Sequence, residues 1–398
     1  MSARAGAAPE AVLTLAEAEQ LALEHAPWFA HHRSNVEAAA ERAVYEGSLP
    51  DPQLTLGVVN LPTDTYRLNQ DGMTMVNIGL RQQFPPGDTL KLRARRAEQE
   101  LTREQARLEI ERRALLKQVR QTWLELYYQR QALRVLADMR ALAQRQLAAA
   151  EDRYRAAQEP QQMLLKQRQM LARLDERELM LNAQQARLRA QLARWIGPPA
   201  HRPLPAELPV LPPLPAEFET AQHPEVLAAR AGLEAARAEV GIARQEYKPG
   251  IMLDVSYGAR RATPDGQSRP DMVTALVTFD LPLFTAKRQD RKLAEKQTLE
   301  AAARYESEDK HRELRAMYET MRAEHSALGA RVKLLSERLL PDVQREARVS
   351  AAGFARDVGE LREARQKEFD TQLELTRLRV DLARSHSELL YIIGENQP

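Results

Sequence analysis

The sequence repeats itself once, and this duplication limits the possible folds more than any other feature. Marker residues recur at an offset of about 197 residues: Pro27, Pro52, Pro85 and Gly197 return as Pro224, Pro249, Pro282 and Gly394. Because the offset is constant, the halves align without a gap. A duplication on this scale predicts one architecture built twice, although 398 residues would otherwise be enough for two or three unrelated domains.

Each repeat contains two short segments in which apolar and polar residues alternate. An alternation with a period of two describes a β-strand with one apolar face. The sequence therefore predicts four strands, at about 52–61, 73–84, 250–261 and 271–283. Polar, turn-forming residues separate the two strands of each repeat.

A very long helical pattern follows each strand pair. In the first repeat, Ala94, Leu101, Leu108 and Leu115 stand seven residues apart, which predicts packing along a supercoiled seam. The pattern continues to about residue 157, so the helix should be about 100 Å long. Pro160 ends it, and the chain then returns, which predicts helical hairpins over 88–196 and 287–394.

These patterns predict three parts of the chain. The first structural repeat spans 1–197, a Pro-rich linker spans 198–223, and the second repeat spans 224–398. Each repeat is expected to contain a short helix, two strands and a helical hairpin. The linker is expected to be extended and to cover the helices.

Composition excludes several function classes. The net charge of +2 gives no basic field for nucleic acid. The absence of Cys removes disulfides, thiolate metal sites and an N-terminal lipid anchor on Cys. There is no Gly-rich phosphate loop, HExxH motif or nucleophile elbow, so we expect neither an enzyme nor a bound cofactor.

Hydropathy gives two further expectations. No apolar run reaches the length of about eighteen residues that a transmembrane helix needs. Residues 1–9 lack the apolar core of a signal peptide, so the chain is expected to be either cytosolic or a mature form with an added start Met.

Four strands at one end of long helices leave an apolar face and two edges to be covered. Three copies would supply twelve strands, and a closed barrel has no edges. The apolar positions would then face lipid and the polar positions a lumen. The alternative is a soluble antiparallel sheet that buries the same face on protein, because such sheets alternate in the same way.

The order strand, strand, long helix, taken twice, resembles the TolC-like outer membrane factor family. The resemblance covers Leu13 to Gly394 and includes similar repeat ends, Leu-Ala-Arg-Trp-Ile-Gly at 192–197 and Leu-Leu-Tyr-Ile-Ile-Gly at 389–394. It implies a mainly α chain with a small β part, and long hairpins that form a trimeric α-barrel tunnel. This tunnel would be continuous with a twelve-stranded antiparallel β-barrel, to which each chain gives four strands.

The resemblance also implies a location and partners. The barrel would lie in the lipid of the cell outer membrane and the helical tunnel in the periplasm. The homotrimer would dock to a periplasmic adaptor protein and an inner-membrane pump of the RND type. The chain would be a passive exit duct, with energy supplied by the pump.

Within this family, two segments look most like the heavy-metal branch. They are residues 49–54 and residues 71–75, the latter followed by Gln-Gln-Phe-Pro at 82–85. Met73 and Met75 are candidate ligands, because thioethers suit Cu(I) and Ag(I), and alternate strand positions would place both on one face. The alternative is that they are strand-end residues without a metal role, in a duct for drugs.

The resemblance further implies docking and gating residues. The candidate adaptor-docking tips are Ala156, Ala157, Gln158, Glu159 and Pro160 in the first hairpin and Gly353, Phe354, Val358 and Gly359 in the second. The first tip departs from the family pattern, because it lacks the usual Gly. The candidate gate residues are Asp357, Glu360 and Glu363, whose symmetry copies would ring the tunnel mouth and attract cations. The alternative for these three is solvated carboxylates at a helix start.

Three functions remain to be compared. An outer-membrane duct should need detergent and form a trimer, whereas a soluble coiled-coil scaffold should not need detergent. A periplasmic adaptor would carry small β-domains beside its hairpin. The lack of such domains in the sequence pattern and the full duplication count against an adaptor.

Overall fold

The computed structural model of the chain describes residues 12–158, 160–215, 218–351 and 358–394. It is mainly helical with one four-stranded sheet, which confirms the predicted fold class. The helices are α1 (Leu15–His25), α2 (Pro27–Tyr45), α3 (Thr89–Arg155), α4 (Gln161–Ile196), α5 (Pro224–Gln245), α6 (Gln289–Leu334), α7 (Leu340–Val349) and α8 (Val358–Ile393). The strands are β1 (Gln53–Val59), β2 (Met75–Phe84), β3 (Ile251–Ala259) and β4 (Met272–Phe279).

Contacts divide the chain into two compact units. The helical unit comprises the described parts of Met1–His31, Glu109–His223 and Arg312–Pro398. The sheet unit comprises His32–Leu108 and Pro224–His311. Each unit takes segments from both sequence repeats. Among the residues that the structure describes, no helix combines the length and the hydrophobicity of a membrane span.

The sheet is antiparallel throughout, in the order β1-β2-β3-β4. The central pair joins the two repeats, because β2 of the first repeat bonds β3 of the second from Val76 opposite Ala259 to Phe84 opposite Ile251. The sheet therefore cannot form from one repeat alone.

The core of the helical unit surrounds α3. Trp123 is fully buried, and its indole N–H donates to the carbonyl of Leu13, 3.2 Å away. Arg120 is also buried and forms an ion pair with Glu19 of α1 at 2.6 Å. The Thr14 hydroxyl caps α1 by accepting from the Glu17 amide, as expected of the Thr-x-x-Glu sequence.

The Pro-rich linker is fixed by hydrogen bonds to its carbonyl groups. The hydroxyl of Tyr127 donates to Ala206, and the guanidinium of Arg130 donates to Leu204 and Pro205. His386 contacts the carbonyl of Pro212 at 2.7 Å. An extended segment has no internal backbone bonds, so these side chains supply the partners that its carbonyls lack.

The first arm of the helical hairpin predicted over 287–394 is interrupted. α6 ends at Leu334, a single π-helical turn covers Leu335–Leu339, and α7 begins at Leu340. The cause lies in Pro341, which has no N–H and whose ring collides with a carbonyl one turn earlier. The wider turn accommodates this proline, and the Leu340 amide bonds the Leu335 carbonyl across it.

A charged network holds the helices of the sheet unit together. Arg96 of α3 donates to Glu239 of α5 at 2.6 Å and lies 3.4 Å from Glu46. Burial alone would raise the pKa of Glu239, but the hydrogen bond and charge of Arg96, helped by Lys296, lower the pKa below its usual value. The folded state therefore favours the ionised carboxylate.

We expect Glu239→Gln to lower the thermal unfolding midpoint of the protein in detergent at pH 7. Because the folded-state pKa of Glu239 lies below the unfolded one, its stabilisation is present above pH of about 4.5 and is lost as the pH falls through the folded value. The difference between the two proteins should thus narrow below that pH. Asp152→Asn is the control, since it removes a solvent-exposed ion pair with Arg155. A difference in unfolding midpoint that does not depend on pH would contradict the lowered pKa of Glu239 in the folded state.

Candidate functional site

The apolar face of the sheet is bare in the single chain. Its side chains are 37–74% exposed, and they are Leu54, Leu56, Val58, Val76, Ile78, Leu80, Ile251, Leu253, Val255, Tyr257, Val273, Val277 and Phe279. The pairing register places them in rows, for example Leu54 opposite Leu80 and Leu80 opposite Val255. A contiguous apolar surface of this kind marks a site of interaction with protein or membrane.

The opposite, polar face carries small and hydrogen-bonding residues. Arg81 and Asp254 stand directly opposite each other on β2 and β3, and two guanidinium nitrogens lie 2.9 Å from the same carboxylate oxygen. Glycines occupy neighbouring positions, with Gly79 opposite Ser256 and Asn77 opposite Gly258. Polar side chains and little bulk are what a water-filled lumen requires.

The two outer strands have free edges. β1 pairs only with β2, and β4 pairs only with β3, within the described residues. Each edge presents unpaired backbone N–H and C=O groups, which bind readily to another strand. The sheet is therefore incomplete on one face and at both edges.

The structure separates the two candidate metal ligands. Met73 is exposed in the turn before β2, where its amide donates to Asp71 Oδ1 at 2.8 Å. Met75 is the first residue of β2, and its side chain packs over Gly258. The regular alternation that would place both thioethers on one face thus begins only at Met75. Within the described parts of the chain, no group of three His, Asp or Glu side chains could hold a metal ion.

The first hairpin tip replaces the usual glycine by alanine in a left-handed conformation. Ala157 has a φ of 56°, and its amide bonds the Tyr154 carbonyl while the Gln158 amide bonds the Arg153 carbonyl. These two bonds form a Schellman motif, in which Gly normally occupies the left-handed position. Pro160 then precedes α4, and Glu159 lies outside the described residues.

The second tip is described only in part. Gly353, Phe354 and Asp357 lie outside the described residues, and α8 begins with Val358 and Gly359. Glu360 and Glu363, the other two gate candidates, occupy the first turns of α8 and are exposed. The Glu363 carboxylate lies 3.8 Å from Arg362.

A groove of about 760 Å³ lies between the first halves of α4 and α8 in the helical unit. Lys166, Arg173 and Arg177 line its α4 side, and carboxylates of α8, at Glu363, Asp370 and Glu374, line the other. Within the described residues no carboxylate lies within ion-pair distance of these three cations. They recur at helical spacing, so they form a basic stripe on one side of α4. Sequence reasoning missed this stripe, although its spacing was visible in the return arm.

We expect Ala157→Gly to stabilise the first tip by about 1 kcal/mol, because a left-handed alanine carries steric strain that glycine does not. Hydrogen exchange of the amides from Tyr154 to Gln158 should slow. The neighbouring Ala156→Gly is the control, since Ala156 does not have a positive φ and glycine there only adds chain entropy. If the two substitutions change the stability of the tip and the exchange of its amides equally, Ala157 carries no left-handed strain.

The sequence matches the family model described as outer membrane efflux protein over residues 18–198 and 219–395. No curated protein sequence matches the chain. Several solved structures share the fold at low identity. A crystal structure of CusC is 17% identical with a TM-score of 0.80, over 100% of this chain and 96% of CusC.

Two other structures agree with this result. VceC from Vibrio cholerae, an outer membrane protein, is 16% identical with a TM-score of 0.80, over 96% of both chains. A membrane protein from Pseudomonas aeruginosa is 16% identical with a TM-score of 0.81, over 99% of both. At these identities the structures show a shared fold, whereas the sequence match shows descent. The chain belongs to the outer membrane efflux protein family, whose members are conduits and not enzymes.

Proposed function

We propose that the chain is the outer-membrane channel of a tripartite efflux system and acts as a homotrimer. The observation that carries this proposal is the bare apolar face of the sheet, opposite a face with Arg81 and Asp254. In lipid the apolar face is solvated by acyl chains, and the polar face lines water. The family match supports an efflux role.

Strand dimensions agree with a membrane barrel. The longest strand, β2, has 10 residues, so at about 3.3 Å per residue it spans about 33 Å. A tilt of about 45° reduces this to about 23 Å, close to the apolar band of about 25 Å in such barrels. Pairing of β4 with β1 of the next copy closes twelve strands and removes every free edge.

A soluble coiled-coil scaffold explains less of the structure. It would have to cover the apolar face with protein, yet no described residue of the sheet unit covers Ile78 or Leu80, each of which is about half exposed. Oligomers could cover the apolar face, but a soluble scaffold would give no reason for the Arg81–Asp254 pair on the opposite face.

The proposed partners are a periplasmic adaptor and an inner-membrane pump of the RND type. The hairpin tips, at Ala156–Pro160 and around Val358, are the proposed docking points. The basic stripe of Lys166, Arg173 and Arg177 supports docking, because an adaptor helix with carboxylates on one side would complement it. Asp357, Glu360 and Glu363 remain the proposed gate at the tunnel mouth.

We expect Ile78→Arg to reduce the amount of trimer in the outer-membrane fraction by more than tenfold. An arginine that faces lipid near the bilayer midplane costs about 2–4 kcal/mol per subunit. Asn77→Arg is the matched control, because the adjacent residue faces the polar side, where Gly258 stands opposite. Trimer is measured as a heat-sensitive band and by conductance in planar bilayers. A monomer that stays in solution without detergent would refute the proposal.

The proposed cargo is a heavy-metal cation. The resemblance of residues 49–54 and 71–75 to the metal branch supports it, and so does the carboxylate-bearing mouth. The second candidate is a drug or other small molecule, which the same duct could carry.

We expect deletion of the gene in its host to reduce tolerance to copper or silver and to leave tolerance to detergents and dyes unchanged. The replacement of Met73 and Met75 by Leu tests the ligand role in the same assay, with Met252→Leu as the control. If metal tolerance is kept by the double variant, the thioethers are not ligands. If only dye tolerance falls on deletion, the cargo is not a metal.

A further inference from the structure

A pocket of about 480 Å³ lies in the sheet unit where β4 ends and α6 begins. This volume falls within the range of about 300–1,000 Å³ found for small-molecule sites. Its charged lining includes Lys248, Arg288 and Asp280. Within the described residues none of these three has an ion-pair partner, whereas Lys292 and Glu246 in the same lining pair with each other.

One buried polar group in this lining lacks a partner. Gln289 is only 9% exposed, and its Oε1 accepts no hydrogen bond within the described residues. A buried acceptor without a donor destabilises the folded state. Within the described residues, the pocket lining thus includes two cations and one carboxylate without an ion-pair partner, together with a carbonyl oxygen that accepts no hydrogen bond.

An apolar segment lies beside the pocket, in the connection that follows β4. Leu281, Leu283 and Phe284 follow β4 and are highly exposed, with Phe284 at 88%. β4 ends at Phe279, and the backbone then makes a tight turn in which the Leu283 amide bonds the Leu281 carbonyl. Leu281 itself lines the pocket, so apolar side chains are present at its rim. Aromatic and basic residues side by side are typical of a membrane interface.

We propose that this pocket binds the headgroup of a phosphatidylethanolamine from the inner leaflet of the outer membrane. The phosphate accepts hydrogen bonds from Lys248 and Arg288, and the ammonium donates to Gln289 Oε1 and Asp280. The acyl chains lie along Leu281, Leu283 and Phe284. The inference rests on the proposed membrane location, because it requires a lipid monolayer at this height.

The first repeat has different residues at the equivalent positions. At the repeat offset of about 197 residues, Lys248 corresponds to Asp51, Gln289 to Leu92 and Phe284 to Gly87. The cation becomes an anion, the amide becomes apolar and the aromatic ring is lost. Arg288 keeps its charge as Lys91, and Lys292, which is paired with Glu246, keeps its charge as Arg95.

The test is native mass spectrometry of the full-length trimer in detergent with added phosphatidylethanolamine, phosphatidylglycerol, water-soluble glycerophosphoethanolamine or inorganic phosphate. We expect one phosphatidylethanolamine per subunit. The double variant Lys248→Ala/Arg288→Ala should weaken its binding at least tenfold. The control Lys91→Ala, at the equivalent position of the first repeat, should bind as the unchanged protein does.

Two further variants separate the parts of the ligand. Gln289→Leu should weaken the binding of phosphatidylethanolamine more than that of phosphatidylglycerol, because only phosphatidylethanolamine has an ammonium group. Phe284→Ser should weaken the binding of the lipid and leave the binding of glycerophosphoethanolamine unchanged. If glycerophosphoethanolamine or inorganic phosphate binds as tightly as the lipid, the site is not a lipid site.

Other results would also overturn the inference. The first is equal binding of phosphatidylethanolamine by the double variant and by the Lys91→Ala control. The second is a trimer that retains no lipid and dissociates when Phe284 is replaced by Ser, which would mean that a second copy of the chain covers this segment. Conductance in planar bilayers keeps the two proposals apart. A trimer that conducts but binds no lipid refutes the lipid site alone, whereas a chain that never conducts refutes the channel.

Discussion

The backbone edges of β1 and β4 are the constraint on which the rest of the structure depends. A four-stranded sheet satisfies its inner hydrogen bonds, but each outer strand leaves a row of donors and acceptors that must find partners. In water these groups would be solvated, yet in hydrocarbon each unsatisfied group costs several kcal/mol. A chain whose sheet has an apolar outer face therefore has to close with other copies before that face enters lipid.

The duplication provides the centre of this sheet. β2 and β3 come from different repeats, and their pairing is continuous from Phe84 to Val76. Arg81 and Asp254 meet at this junction on the polar face, so an ion pair links the repeats where a lumen would supply water. Because this pair is partly solvated, its contribution to stability is modest, and its main effect is to fix register and the polarity of that face.

Much of the fold could be predicted from the sequence, because periodicity reports directly on secondary structure. Alternation identified all four strands, and heptad spacing with Pro160 identified the first hairpin. The π turn at Leu335–Leu339 was not predicted, although Pro341 is a sequence signal for an interruption of the helix. The left-handed Ala157 could not be predicted, since alanine at that position goes against its own conformational preference.

The candidate sites were less accessible for a physical reason. A site depends on which side chains remain without partners after folding, and this cannot be read from periodicity. Lys292 and Arg288 are both basic residues at the start of the helical pattern, yet in the described part of the chain Lys292 forms an ion pair with Glu246 and Arg288 forms none. The repeats make the same point, because the duplication preserves strands and helices while Lys248 and Asp51 have opposite charges at equivalent positions. A barrel and tunnel require both repeats to keep their backbone pattern, whereas residues at the rim are free to diverge. The two repeats can therefore share one fold and still carry different side-chain chemistry at the rim.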